Sequence, residues 1–345
     1  MNFYTLIFNN TKHSKQWILY TLLSVFFCSL FIIAINFMVD PYNITKYNIL
    51  NIKYKFARDD RTEKVNYFKT LNKFDNILIG SSRVYSMNPL QVSKVLGGTT
   101  YNFGVGTATV EDHLGIIKYL ERENKLPKNI IIGIDFYTFN PNTPLNSYFL
   151  RNKELNFLSY KGYDAEYMSK LYSIDALRAS IKTLKKHLFD KNERSRFDSL
   201  GWAGTYEDYS NKNMDTALIR VKKELKENLN RFYTNLTYGH IDKKRVQYYE
   251  KIRKFCKEKN INLYLFTTPL HPILLEILER NERTKNALEE FNTYLSTFQN
   301  FQNLYHDEEL YHELKNFHGA THTTSIAGDL ILKKVLTKVR YNETN

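Results

Sequence analysis

Between Trp17 and Val39 the chain reads WILYTLLSVFFCSLFIIAINFMV, a run without one charged side chain. Rising about 1.5 Å per residue as a helix, it is long enough to cross a hydrocarbon core of ~30 Å. A helix packed on a soluble core would show amphipathic spacing; this run has none, and Trp17 and Tyr20 sit at one rim, where aromatic residues line bilayer interfaces. It also exceeds the apolar region of a cleaved signal, and no small-x-small cleavage pattern follows it. The expected organisation is a cytoplasmic N-terminus over residues 1–16, a signal anchor over 17–39, a connector over 40–74 and a folded domain over 75–345.

Charge counting does not fix the orientation, because Lys12 and Lys15 precede the run while Lys46, Lys53, Lys55 and Arg58 follow it. A large following domain crosses largely regardless of such charges, so the domain is expected outside the cytoplasmic membrane, facing periplasm or exterior. Of the two cysteines, Cys28 lies inside the apolar run and Cys256 in an expected helix, which leaves no disulfide framework for the soluble part.

The formal net charge of +13 suits nucleic acid, anionic lipid or an acidic envelope polymer, or simply solvates a surface rich in Lys and Asn. No zinc-finger, nucleic-acid-binding or P-loop signature is present, so no nucleic-acid partner is expected. The bilayer is the partner that the apolar run itself demands.

After the connector, a charged segment of helical character, KFARDDRTEKVNYFKTL, leads into an alternating pattern. The stretch Asn76–Gly80 reads as a short buried strand, Pro89–Leu96 as a helix closed by Gly97 and Gly98, and Thr99–Phe103 as a second strand. Val110, Leu114, Ile117 and Leu120 share one helical face before a third strand, Asn129–Ile134. A section from about Tyr137 to Tyr238, rich in Tyr, Lys and Asn, breaks this rhythm and reads as a helical insertion or lid with helices near Asp175–Leu188 and Asp215–Phe232. Alternation resumes with a helix over Asp242–Lys259, a strand over Asn262–Phe266, a helix over Glu282–Ser296, an apolar stretch near Leu304 and a last helix over Ser325–Lys338. The class is α/β, with a parallel sheet covered on both faces, and ligands of such sheets bind where loops leave the strands' carboxyl ends.

Those loops carry Ser81-Ser82-Arg83, Gly104-Val105-Gly106, Asp135, Thr267 to His271, and His318 to His322. A serine at a strand-to-helix turn can act as a nucleophile when an imidazole takes its proton and backbone N–H groups hold the oxyanion. Alternatively, Ser81 or Ser82 is only a cap or turn residue. Arg83 would either clamp an anionic substrate or pair with an acid such as Asp135. His271 is a candidate pocket residue or a plain loop histidine. The spacing of His306, His312, His318 and His322 matches no standard zinc site, and neither metal nor cofactor is expected.

With these residues in place the chain resembles the SGNH (GDSL-like) hydrolases, and within them the membrane-anchored branch related to the teichoic-acid D-alanine transfer protein and the alginate acetylation proteins. Gly80-Ser81-Ser82 stands where that family has its Gly-Asp-Ser or Gly-Ser-Ser block, which makes Ser82 the matching nucleophile. Gly104 or Gly106 matches the second-block glycine, an oxyanion donor, and His322 matches the histidine of the closing block. The resemblance covers 76–134 and 262–335 and implies a flavodoxin-like three-layer sandwich.

Two positions depart from the family pattern. Gly319 stands where the acid three residues before the histidine belongs, and Asp135 stands where the third block has Asn. An ionised Asp135 would oppose a developing oxyanion, unless it has moved to orient the imidazole. The resemblance implies a serine esterase or O-acyltransferase acting on an envelope glycan or lipid, with Ser82 and His322 as catalytic residues and Gly104 or Gly106 at the oxyanion; the loops at the same edge add Asp135 as the candidate third catalytic group and Arg83, His271 and His318 as candidates around the oxyanion or substrate. It further implies a multipass membrane acyltransferase as partner. The competing expectation is a degenerate, anchored binding or assembly protein of an envelope acylation system.

Overall fold

The structure is a computed structural model, and it describes residues 3–42, 49–52, 59–71, 73–158, 169–189, 197–203, 214–311 and 316–343. In chain order the longer helices are α1 (Phe3–Val39), α2 (Asp60–Thr70), α3 (Pro89–Leu96), α4 (Val110–Arg122) and α5 (Ile174–Phe189). They continue with α6 (Met214–Leu236), α7 (Lys243–Glu258), α8 (Pro272–Glu279), α9 (Glu282–Ser296) and α10 (Ser325–Glu343). The strands are β1 (Asn76–Ile79), β2 (Thr100–Asn102), β3 (Asn129–Ile134), β4 (Asn262–Thr267) and β5 (Phe301–Gln302). The chain divides into two compact units, residues 1–59 with 161–194, and residues 60–160 with 195–345.

In the first unit, α1 contains the stretch Ser14–Val39, long and apolar enough to cross a membrane. Helix α5 packs on the end of this stretch through Ala176, Ala179, Ser180 and Thr183, all buried. The polar Asn36, fully buried within α1, donates to the carbonyls of Leu171 (2.7 Å) and Ser173 (3.3 Å) and accepts from the Ser180 hydroxyl (2.9 Å). A carboxamide in an apolar helix needs such partners, because leaving it unpaired away from water costs several kcal/mol, roughly 2–7.

In the second unit the five strands form one parallel sheet in the order β2-β1-β3-β4-β5. Strand β3, NIIIGI, is buried along its whole length, as a central parallel strand must be when helices cover both faces. Its alternate side chains feed two cores. Ile130, Ile132 and Ile134 join Ile77, Ile79 and Leu265 beneath α2, α4, α7, α8 and α9. On the opposite face, Ile131 joins Leu78, Tyr264 and Phe266 against Val92 of α3 and Ala327, Ile331 and Leu332 of α10.

Helix starts follow local chemistry. Asn88 caps α3 through the Leu90 N–H with Pro89 at the first turn, and Asp242 caps α7 through two N–H groups. The Asp112 carboxylate closes the capping box of α4 and also accepts a two-pronged bond from the buried Arg61, at 2.7 and 2.8 Å, so it ties α2 to α4. The helical character of the segment before β1 belongs to α2, whose Val65 and Phe68 enter the core. Helix α8 has no counterpart among the expected elements; its sequence, PILLEILE, follows His271 at the end of a stretch that reads as loop, and Pro272 occupies the first turn. Strand β5 lies at Phe301–Gln302, just before the apolar stretch expected near Leu304.

Candidate functional site

The carboxyl end of β1 runs through Gly80 into a single 3-10 turn, Ser82–Val84. Ser81 is buried and caps this turn, its hydroxyl accepting from the Arg83 N–H at 3.2 Å. Ser82, one residue on, is half-buried, and its Oγ lies 2.9 Å from Nε2 of His322. The two serines therefore divide the work: one shapes the turn and the other meets an imidazole.

Space for this turn comes from three strand ends. A Cβ on Gly80 or Gly133 would sit 2.7 Å from Val84 Cγ1, and one on Gly104 would sit 2.5 Å from Val84 Cγ2. Only bare backbone at all three positions lets Val84 tuck beneath the sheet's edge and hold the serine above it. The buried Asn102 completes the clamp. Its amide donates to the carbonyls of Val84 (2.7 Å) and Met87 (3.1 Å), and its oxygen accepts from the Gly104 N–H at 2.9 Å.

That last bond changes the assignment of the glycines. Gly104 spends its N–H on Asn102, and Gly106 spends its own on the Asp60 carboxylate at 3.1 Å, so neither donor faces an oxyanion. The N–H groups of Ser82 and Thr107, in contrast, donate to no described residue, and both residues line the same cavity. Thr107 has a φ of +49°, a left-handed backbone that a β-branched residue rarely adopts, and Asn146 donates to its hydroxyl at 2.6 Å.

Asp135 leaves β3 toward this edge, where its Oδ1 meets Arg83 Nη1 at 3.0 Å and accepts from the Thr268 hydroxyl. Arg83 also reaches Thr268 Oγ1 at 3.2 Å. Both members of the pair are buried, no hydrogen bond joins Asp135 to His322, and the carboxylate is compensated by the guanidinium. Arg83 thus takes the pairing role of its two sequence readings. Beside it, Tyr137 donates to the Ala108 carbonyl at 2.8 Å, and burial, with the Asp135 charge adding, pushes its phenol pKa well up.

Nδ1 of His322 lies 3.0 Å from the hydroxyl of Thr321. His318 stacks obliquely beside it, ring centres 5.5 Å apart, with its own Nδ1 at the Thr323 carbonyl. His271 is not a wall of the cavity. It is buried at the start of α8, where its Nδ1 accepts from the Ile273 N–H, and burial lowers its pKa to about 4. His306 reaches Glu279, and His312 lies outside the described residues.

The cavity above Ser82 measures about 320 Å³. Its far wall comes from the inserted section: Glu224, Asn228, Phe232 and Asn235 project from one stripe of α6. The i, i+4, i+8 spacing of the first three was legible, but nothing in the sequence said which surface the stripe would face. Glu224 accepts from the Ala320 N–H at 2.7 Å, and its carboxylate fills the space where a Cβ on Gly319 would stand, 2.5 Å from Oε2. A carboxylate therefore does reach the histidine loop, from a helix nearly a hundred residues earlier in the chain.

Compared with known protein families the sequence matches none, and no curated protein matches it.

Proposed function

We propose that this chain is a membrane-anchored serine acyl esterase or O-acyltransferase of SGNH type, built on a flavodoxin-like sheet. The observation that carries the reading is the 2.9 Å contact between Ser82 Oγ and His322 Nε2 at the floor of a cavity on the carboxyl edge of a parallel sheet. The strand order 2-1-3-4-5 is that of flavodoxin-like sheets, whose ligands bind at this edge. In the reaction, Ser82 Oγ attacks the acyl carbonyl as its proton passes to Nε2, and the N–H groups of Ser82 and Thr107 receive the oxyanion. Collapse of the tetrahedral intermediate breaks the ester C–O bond, the imidazolium protonates the departing alcohol, and the acyl group stays on Ser82. Water or an acceptor hydroxyl then reverses these steps.

The lining favours a neutral, polyhydroxylated substrate. Hydroxyl and amide groups of Thr107, Thr143, Asn146, Asn228 and Asn235 alternate with Tyr137, Leu145 and Phe232, a mixture suited to an acylated sugar or polyol of the cell envelope. With α1 as anchor in the cytoplasmic membrane, the catalytic unit would work on the outer side. A multipass acyl donor protein is the partner that the SGNH resemblance suggests.

A catalytically silent assembly protein is the second reading, favoured by the hydroxyl at Nδ1, which stabilises an imidazolium less than a carboxylate does. Fluorophosphonate labelling separates the two. Labelling of the wild type that disappears in Ser82→Ala supports the enzyme; no labelling of a folded wild type, or equal labelling of the variant, hands the assignment to the assembly protein.

A further inference from the structure

Helix α5 has three distinct stripes. Ala176, Ala179, Ser180 and Thr183 form a small-residue stripe buried against α1. Ile174, Leu177, Ile181, Leu184 and Leu188 form a second, spaced alternately three and four residues apart, and Ile174, Ile181 and Leu188 are each more than half exposed. Arg178, Lys182 and Lys185 form a third, exposed and basic. Such a division has no use on a helix surrounded by water, since the large apolar side chains lie off the face that packs on α1 and three of them stay exposed.

The position of α5 along α1 says what covers the apolar stripe. From Ser14 to Phe31 the side chains of α1 are exposed, and burial begins only at Ile32, with Ile32, Ile33 and Ile35 partly covered and Asn36 and Val39 buried. The contact with α5 is thus confined to the C-terminal end of the apolar stretch, which is a membrane rim if α1 spans the bilayer. At that level, apolar side chains can enter the acyl boundary while basic ones reach anionic head groups. Tyr172, exposed in the turn just before α5, is the amphipathic residue type such an interface favours. A second copy pairing through the same stripe would have two heptads at most, fewer than a coiled-coil seam usually sustains.

We propose that α5 is a second membrane contact, lying in the bilayer interface at the C-terminal end of the span with its Ile174-Leu177-Ile181-Leu184-Leu188 stripe in the acyl boundary. The inference rests on α1 spanning the bilayer. The basic stripe would favour a leaflet containing anionic lipid.

The test uses the full chain in vesicles of phosphatidylcholine and phosphatidylglycerol, with single cysteines placed in a Cys28→Ser, Cys256→Ala background and labelled with an environment-sensitive fluorophore. Probes at Ile181→Cys and Leu188→Cys should emit blue-shifted light and lose most of it to lipids with brominated acyl chains, while probes at Arg178→Cys and Lys182→Cys should report water. Extraction of the chain by alkaline carbonate would remove the premise about α1 and the proposal with it. Retention of the chain with all four probes in water would overturn the α5 contact alone. A blue shift without bromolipid quenching would also overturn it, in favour of a protein covering the stripe.

Discussion

Nδ1 of His322 faces the Thr321 hydroxyl at 3.0 Å, and its other nitrogen faces Ser82. When Nδ1–H donates to that hydroxyl, Nε2 is the free acceptor that Ser82 requires. Thr321→Val keeps the shape and removes the acceptor, at a cost of about 1 kcal/mol for a neutral hydrogen bond, or roughly a five- to tenfold lower fluorophosphonate labelling rate. An unchanged rate would show that the tautomer is set elsewhere.

Ser81 and Ser82 are expected to separate cleanly. Ser81→Ala removes the cap of the 3-10 turn and should lower stability by about 1 kcal/mol in a denaturant melt, while labelling persists. Loss of labelling in well-folded Ser81→Ala would contradict the division of roles between the two residues.

Asp135→Asn should destabilise, because it strands a buried guanidinium; the expected loss is on the order of 3 kcal/mol. Adding Arg83→Met to Asp135→Asn should recover part of that loss, measured by thermal unfolding of each single variant and the double. Independent, additive costs would mean that the pair is not coupled.

Gly319→Asp would restore an acid three residues before the histidine, yet its Cβ would collide with the Glu224 carboxylate. Alone, it should lower stability and bring no gain in labelling. Combined with Glu224→Ala, it has room, and the double variant should label faster than Glu224→Ala itself. A faster single variant would show that Glu224 yields easily.

Acid should weaken the fold through His113, fully buried at the Tyr249 hydroxyl (2.8 Å), whose pKa burial lowers to about 4. Between about pH 6.5 and pH 4 the unfolded chain binds a proton that the folded one refuses. Stability is therefore complete above this window and falls through it as pH drops, by on the order of 3 kcal/mol. His271 acts in the same direction, since protonating Nδ1 would also remove its acceptance of the Ile273 N–H. His113→Gln, which can still bond Tyr249 but does not titrate, should flatten the slope of melting temperature against pH.

Strand and helix periodicity located most of the sheet and its covering helices because burial imposes a regular pattern on each. Asn129–Ile134, Glu282–Ser296 and Pro89–Leu96 were legible to the residue. The pairing of Ser82 with His322 was legible as chemistry, since both end loops at one sheet edge. What could not be read were contacts fixed by third parties. Asn102 claims the Gly104 N–H and Asp60 that of Gly106, so small residues near a site proved to be spacers rather than donors. Glu224 arrives from an insertion with no pattern linking it to Gly319. Asn36, a lone carboxamide in an apolar run, carries no sequence signal of its partners on and before α5.

Ser82 and His322 are separated by 240 positions, and the sheet edge joining them closes only when β4 reaches β3 across the whole inserted section. During synthesis Ser82 therefore emerges long before His322. On the proposed function, the growing chain carries an ordinary alcohol at Ser82 and gains a nucleophile only when the segment bearing His322 docks. Timing, built into the order of the chain, would on that reading keep an ester-attacking group dormant until the sheet edge is complete.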